Sequence, residues 1–220
     1  LQNESDLHET MELLILFKQI TACNRRGDFD LAHKLLGKYQ LLFPKVQDSN
    51  IFEVLGLYCS AALKRASGDF KALKGLLTKA LAMAEKIKPG LVTATIYTFA
   101  ATVSDLKNLD CDLESTAVLG ERALEHLECV PDSSDVLAAM RRKANIILAT
   151  FHLGCNVSGQ LIKNSIDILS LEEAKACIKA ISESAYEEHP LSVYFDIQLN
   201  LVLSIYKYRQ SQLNPDQRNQ

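Results

Sequence analysis

Two histidine–cysteine pairs have a spacing that could bind a metal ion. His126 precedes Cys129 and His152 precedes Cys155, in both cases by three positions. Side chains three residues apart share one face of a helix, and imidazole and thiolate are preferred zinc ligands. Each pair, however, ends its own predicted helix, and opposite ends of antiparallel helices of this length lie roughly 25 to 30 Å apart. Because zinc needs every ligand at about 2 Å, we expect no shared metal site.

Sequence motifs of enzyme active sites are missing from the chain. It has no nucleophile elbow, no phosphate-binding glycine loop and no His-Glu-x-x-His segment. The adjacent acids Glu172-Glu173 and Glu187-Glu188 would point about 100° apart within a helix, which does not suit a close acid–base pair. We therefore predict a protein without catalytic activity and without a cofactor.

Basic residues cluster at Arg25-Arg26, Lys64-Arg65 and Arg141-Arg142-Lys143. Together with an aromatic residue such as Tyr58 they could hold single-stranded RNA through charge and stacking. The net charge of −3 and the pI near 6.0 lack the basic excess typical of nucleic-acid binding. We expect the clusters to be solvated, and RNA binding stays an alternative.

The elements that must position these residues are helices. Apolar residues recur at three and four positions nearly everywhere, without sustained alternation, which predicts an all-α fold. Helix breakers and capping residues predict pairs near residues 5–44, 48–89, 91–131 and 133–185, a terminal helix at 190–210 and a disordered polar tail at 211–220. We expect one domain over residues 1–210, taken from a larger protein because the first residue is Leu1.

Composition also predicts a location. No apolar run approaches the roughly 20 residues needed to cross a bilayer. Six cysteines occur without a CxxC motif, inside otherwise apolar segments, which favours free thiols over disulfides. We therefore expect an intracellular protein, cytoplasmic or nuclear, that does not enter a membrane.

One turn pattern recurs along the chain. Gly27-Asp28-Phe29, Gly68-Asp69-Phe70 and Cys111-Asp112-Leu113 follow one another at spacings of 41 and 43 residues, and each stands between two apolar helices. Recurrence at such a period indicates an array of helix pairs, in which each pair buries its free face against the next.

The first of these units resembles a tetratricopeptide repeat. The similarity covers roughly residues 12 to 131 and weakens along the chain; it rests on Gly27-Asp28-Phe29-Asp30-Leu31-Ala32, Tyr39 and Pro44, then on Gly68, Phe70 and Ala80, and last on Leu113 and Ala123. The resemblance implies a right-handed superhelical stack of antiparallel helix pairs, with about nine helices. It also implies a noncatalytic module that binds a protein or a peptide.

In this family the first helix of each pair lines a concave groove. Carried over in register, the partner-binding residues are Phe17, Lys18, Thr21, Tyr58, Arg65, Asp105, Arg141 and Asn145. The clamp with which some members bind a chaperone's terminal carboxylate is not kept, because its Lys, Asn and Arg positions hold Phe17, Thr21, Cys59, Thr98 and Thr102. The partner's identity stays open.

Two further segments stand out. The long connection at 154–168 could form a short helix that docks through Val157, Leu161, Ile162 and Ile166. The terminal helix is apolar around much of its circumference, which predicts an assembly surface for a homodimer or a neighbouring domain. Its candidate residues are Phe195, Leu199, Val202 and Tyr206. A segment that regulates its own parent protein is therefore a further alternative.

Overall fold

The computed structural model describes residues 2–47, 49–104, 115–131, 134–183 and 192–213, with side chains from Asp6 and from Asp196 onward in the first and last ranges. Within these ranges the regular structure consists of nine α-helices and one short 3-10 turn, without a β-strand. The predicted all-α class is confirmed. No helix in these ranges is long and apolar enough to pass through a bilayer.

The first of two compact units contains four helices: α1 (Gln2–Arg26), α2 (Phe29–Leu42), α3 (Ser49–Ala66) and α4 (Phe70–Ala84), with the 3-10 turn Phe43–Lys45 after α2. α1 packs against α2, and α3 packs against α4. α3 also contacts both α1 and α2, so the second pair rests on the first. Because only a short turn joins the members of each pair, they run antiparallel.

The turns inside the two pairs have the same hydrogen bonds. Gly27 and Gly68 adopt φ values of 78° and 74°, which side-chain-bearing residues rarely take. Asp28 and Asp69 then cap the next helix, each accepting a bond from a backbone N–H three residues on, at 3.3 and 3.2 Å. Each aspartate also donates its own N–H to a carbonyl five residues back, at 3.0 Å in both turns. The recurring Gly-Asp pattern therefore forms one turn twice.

A buried tyrosine joins the two pairs of the first unit. The hydroxyl of Tyr39, in α2, donates a hydrogen bond to the carbonyl oxygen of Phe52, in α3, at 2.7 Å. Gly56 lies beside the ring, where a Cβ atom would come within 3.1 Å of Tyr39 Cε1. Burial raises the pKa of Tyr39 well above its ordinary value, so the phenol keeps its proton and remains a donor.

The second compact unit contains α5 (Leu91–Ser104), α6 (Thr116–Glu128), α7 (Asp135–His152), α8 (Ile168–Glu183) and α9 (Ser192–Leu213). α5 packs against α6, and α7 contacts both of them. α8 packs against α7, and α9 contacts both α7 and α8. α7 and α9 each contact the two helices before them. The core between α7, α8 and α9 includes Ala149, Leu153, Ala174, Ile181 and Val202.

The connection between α7 and α8 is a loop, so the short docked helix predicted for residues 154–168 is wrong. Cys155 and Leu161 form an isolated antiparallel bridge, and the side chains of Leu161 and Ile162 are about half exposed, at 45% and 47%. Val157 and Ile166 are partly buried, the latter against the core of the second unit. Several backbone groups of the loop bond within it, such as the N–H groups of Ile162 and Lys163 to the carbonyl oxygen of Gly154. Arg209 of α9 donates to the carbonyl oxygen of Asn164. These bonds take the place of helical ones.

Most predicted helix boundaries agree with the structure to within a few residues, with three corrections. α1 begins at Gln2 instead of Ser5 or Asp6, and α6 begins at Thr116, later than the turn pattern predicted. α9 continues to Leu213, into the segment expected to be a disordered tail. The predicted turn at 111–113 lies outside the described residues. Since each unit is compact by itself, one continuous domain over residues 1–210 stays a prediction.

Candidate functional site

Phe17 and Tyr58, two residues predicted to line the groove, lie in contact on the neighbouring helices α1 and α3. Their ring centroids are 6.0 Å apart and the ring planes are tilted by 46°. Both side chains are partly buried, so the pair also contributes to packing between the two helices. The ring surface that stays open forms an apolar strip on this face of the first unit.

A small cavity lies next to Tyr58, between α1 and α3. Its volume is about 40 Å³, which is room for ordered water but not for an organic ligand. The cavity is lined by Ile20, Thr21, Asn24, Arg25, Tyr58, Cys59 and Ala62.

Two arginines contribute to the electrostatics around Tyr58. Burial raises the pKa of the Tyr58 hydroxyl and the neighbouring Cys59 adds to the rise, whereas the positive charges of Arg25 and Arg65 oppose it. Both guanidinium groups thus act on the same phenol. Burial also raises the pKa of Cys59 to about 12, so that its thiol stays protonated near neutral pH and is a poor nucleophile. The face offers cations and apolar surface, without an activated group.

Asn24 is a residue of this face that the sequence prediction missed. Its side-chain oxygen Oδ1 is buried and accepts no hydrogen bond from the described residues. Such an acceptor is uncommon, because buried polar atoms normally have a partner. Asn24 comes three positions after Thr21, and Arg25 comes four positions after Thr21. The helical period of α1 therefore places Asn24 and Arg25 beside the predicted groove residues.

The other predicted groove residues of the first unit differ in how far they are exposed near Tyr58. Lys18 is exposed on α1, and its carbonyl oxygen accepts a 2.9 Å hydrogen bond from the Thr21 hydroxyl. Arg65 is partly buried near the end of α3. Phe17, Thr21, Tyr58 and Arg65 therefore belong to one surface of the first unit, with Lys18 at its edge.

The groove residues predicted for the second unit are mainly structural. Arg141 donates from Nη2 to the carbonyl oxygen of Leu127 at 3.3 Å, and Asn145 donates from Nδ2 to the carbonyl oxygen of Arg141 at 3.0 Å. Thr98 and Thr102 are buried, and their hydroxyls bond to carbonyls of their own helix. Asp105 lies outside the described residues.

Three of the four predicted assembly residues on α9 pack within the second unit. Val202 has no exposed surface, and Leu199 and Tyr206 are packed against the core of the second unit. The side chain of Phe195 lies outside the described residues. Contacts with α7 and α8 cover the inner face of α9. Ile197, Leu201 and Tyr208 of the same helix stay exposed, at 63%, 39% and 48%.

The histidine–cysteine pairs have local partners. Nδ1 of His126 lies 2.7 Å from Thr93 Oγ1, and the ring packs edge to face on Tyr97. His152 packs edge to face on Phe151, and the Cys155 thiol donates to the carbonyl oxygen of Thr150. Among the described residues, no three His, Cys, Asp or Glu side chains are grouped in a way that could hold a metal ion.

Comparisons with protein-family models, with curated proteins and with solved structures find no match to this chain.

Proposed function

We propose that this chain is a noncatalytic interaction module that binds an acidic peptide across the face of α1 and α3. The proposal rests on one arrangement. Phe17 is in contact with Tyr58, and the positive charges of Arg25 and Arg65 both lower the pKa of the Tyr58 phenol. Aromatic rings supply apolar contact area, and the guanidinium groups attract carboxylates.

The packing within each unit supports a helix-repeat architecture of the tetratricopeptide kind. In each unit the first helix of a pair contacts both helices of the pair before it. Within the first unit, the turn at Gly27-Asp28 is repeated at Gly68-Asp69 with the same capping bonds. In such arrays the first helices of successive pairs line the binding groove, and α1 and α3 are those helices in the first unit.

The bound peptide would present three features to this face. An apolar side chain would lie on the Phe17–Tyr58 strip, and a carboxylate would lie near Arg25 and Arg65. A backbone or side-chain N–H of the peptide could donate to the buried Oδ1 of Asn24. Because a charged rim mainly sets association rate and specificity, we expect affinity to fall as salt rises.

Single-stranded RNA is the second candidate, because two arginines act on one aromatic residue. The tilted contact with Phe17 leaves Tyr58 partly buried, which reduces the ring face on which a base could stack. RNA binding would show itself in a steep loss of affinity for unstructured RNA between low and physiological salt.

The proposal is tested by panning a display library of random linear peptides on the immobilised 220-residue chain. We expect the enriched sequences to combine an apolar residue with an acidic one, and to be recovered poorly on Arg25→Gln. Arg26→Gln is the matched control, because the Arg26 guanidinium bonds to Cys23 Sγ at 3.7 Å. Enrichment without acidic residues, or equal recovery on both variants, would reject an acidic-peptide site.

A further inference from the structure

The outer face of α9 has an apolar edge that stays exposed after the helix has packed on α7 and α8. Ile197, Leu201 and Tyr208 lie along this edge, because residues four and seven positions apart share one side of a helix. Val202 is buried on the opposite side, in the core of the second unit. Leu201 also touches the loop before α8, since a Cβ atom on Gly159 would come within 3.0 Å of Leu201 Cδ2. The apolar edge runs over about three turns of α9.

Two opposite charges occupy the other edge of the same outer face. Asp196 and Lys207 are eleven positions apart, which is close to three helical turns, so they lie above one another along the helix. Both side chains are exposed, and neither forms an ion pair with a residue that the structure describes. The outer face of α9 therefore offers an acidic group at one end and a basic group at the other.

Small polar residues lie between the two edges. Asn200 and Ser204 are exposed at the middle of the outer face, and the Ser204 hydroxyl donates to the carbonyl oxygen of Asn200 at 2.8 Å. Because the distance between packed helices depends on the side chains at the contact, these short residues let a second helix approach closely.

The exposed residues of this face match one another about the height of Val202. Three pairs are each centred within one residue of Val202: Asp196 with Lys207, Ile197 with Tyr208, and Asn200 with Ser204. In two antiparallel helices related by a two-fold axis at this height, the members of each pair lie opposite one another. An acid then faces a base, an apolar side chain faces an apolar one, and a polar side chain faces a polar one. The face is thus self-complementary, as an isologous interface requires.

We propose that two copies of this chain associate through the outer faces of α9, packed antiparallel about a two-fold axis at the height of Val202. Asp196 of each copy pairs with the partner's Lys207, and Ile197 packs on the partner's Tyr208. One helix from each copy makes a small interface, so the dimer is weak and forms reversibly as concentration rises. All of these residues belong to the second unit, so the dimer does not depend on the peptide site on α1 and α3.

Sedimentation velocity of the full chain over a concentration series tests this surface. We expect the mass to rise from 24.5 kDa toward twice that value. Ile197→Glu should keep the chain monomeric, because it places a charge in the apolar contact. Leu41→Glu is the matched control, since Leu41 is an exposed leucine on α2 and its replacement should leave the dimer intact. Circular dichroism of each variant establishes that the fold is kept.

Exchanging the two charges tests the antiparallel arrangement. Asp196→Lys should weaken the dimer about tenfold, because each new lysine faces the partner's Lys207. Adding Lys207→Asp restores opposite charges across the interface and should return the affinity to the wild-type value. Asp30→Lys makes the same change in net charge at an exposed position on α2, and it should have no effect on the dimer.

A wild-type chain that stays monomeric at every concentration overturns the proposal. So does a dimer that Ile197→Glu leaves intact, or one that the added Lys207→Asp does not restore. Arg25→Gln changes the peptide site and leaves the mass unchanged, so failure of the peptide proposal and failure of the dimer are distinguishable. Because a weak dimer dissociates on dilution, Lys207 does not affect unfolding measured in dilute samples.

Discussion

Arg209, near the end of α9, donates its Nε–H to the carbonyl oxygen of Leu153 at the end of α7, at a distance of 3.1 Å. The side chain is fully buried, and its other donors bond to the carbonyl oxygens of Lys163 and Asn164 and to Gln212 Oε1. The negative end of the α7 dipole favours a cation at this position. One residue of α9 therefore fixes both the end of α7 and the loop that follows it.

Replacing Arg209 with Met should destabilise the second unit strongly. The substitution leaves three backbone carbonyls without their donor, and we expect a loss of about 3 kcal/mol in the free energy of unfolding. Urea unfolding followed by circular dichroism measures it. Lys207→Met, at an exposed position of the same helix, is the control and should change little. Equal unfolding midpoints for the two variants would show that the Arg209 bonds do not contribute to stability.

Tyr39→Phe should cost about 1 to 2 kcal/mol, because the carbonyl oxygen of Phe52 loses its buried donor while the ring packing is kept. Tyr208→Phe removes an exposed hydroxyl that bonds to Gln212 and should change the free energy of unfolding by less than about 0.5 kcal/mol. Thermal or urea unfolding of both variants checks the difference. Equal free energies of unfolding for the two variants would show that the Tyr39 hydrogen bond does not stabilise the first unit.

Gly27→Ala and Gly68→Ala should destabilise the first unit by similar amounts, about 1 kcal/mol each. A Cβ at either position meets no atom within 4 Å, so the cost comes from the positive φ alone. Gly75→Ala, in the interior of α4, also meets no atom and should stabilise by up to about 1 kcal/mol. Denaturant titrations compare the three, and clearly unequal costs at the two turns would contradict their equivalence.

Stability should decline as pH falls from about 7 toward about 5. Burial lowers the pKa of both His126 and His152 below the ordinary 6.5, so the unfolded chain takes up these protons before the folded chain does. Unfolding free energies measured across this range should depend less on pH in His126→Gln with His152→Gln. His33→Gln, an exposed position on α2, should keep the wild-type profile. An unchanged profile in the double variant would exclude these two histidines as the cause.

The lowered pKa values of Asp69 and Asp167 act in a different pH range. Hydrogen bonds hold both below the ordinary 3.8, first from Lys64 for Asp69 and from Ser170 for Asp167. A carboxylate with a depressed pKa stabilises the fold above that value and loses this contribution as pH drops further. The two aspartates therefore do not contribute to the change expected between about pH 7 and 5.

Structural features that are set by neighbouring residues in the chain could be predicted from the sequence. Gly27-Asp28 and Gly68-Asp69 have a strict local chemistry, so the turns and the all-α class could be predicted. The repeat register assigned Phe17 and Tyr58 to the same predicted groove, and their ring contact was found only in the structure. Asn24 was missed although it lies one turn from Thr21, because amides are common on solvated faces.

Features that depend on distant neighbours could not be predicted. Val202 was assigned to an outer face because α9 is apolar almost all round, and only its contacts with α7 and α8 show which side faces inward. Arg209 was missed because its partners lie 45 to 56 residues earlier in the chain. Those partners are mostly backbone carbonyls, which every residue has, so no residue type indicates the contact.

We propose that the α1 and α3 face binds an acidic peptide through Tyr58, Arg25 and Arg65. Fluorescence anisotropy of a labelled selected peptide, titrated with wild type, Arg25→Gln and Arg26→Gln, tests it most directly. We predict about tenfold weaker binding for Arg25→Gln, a difference that shrinks at high salt, and nearly unchanged binding for Arg26→Gln. Equal affinity of wild type and Arg25→Gln at low salt would contradict the account.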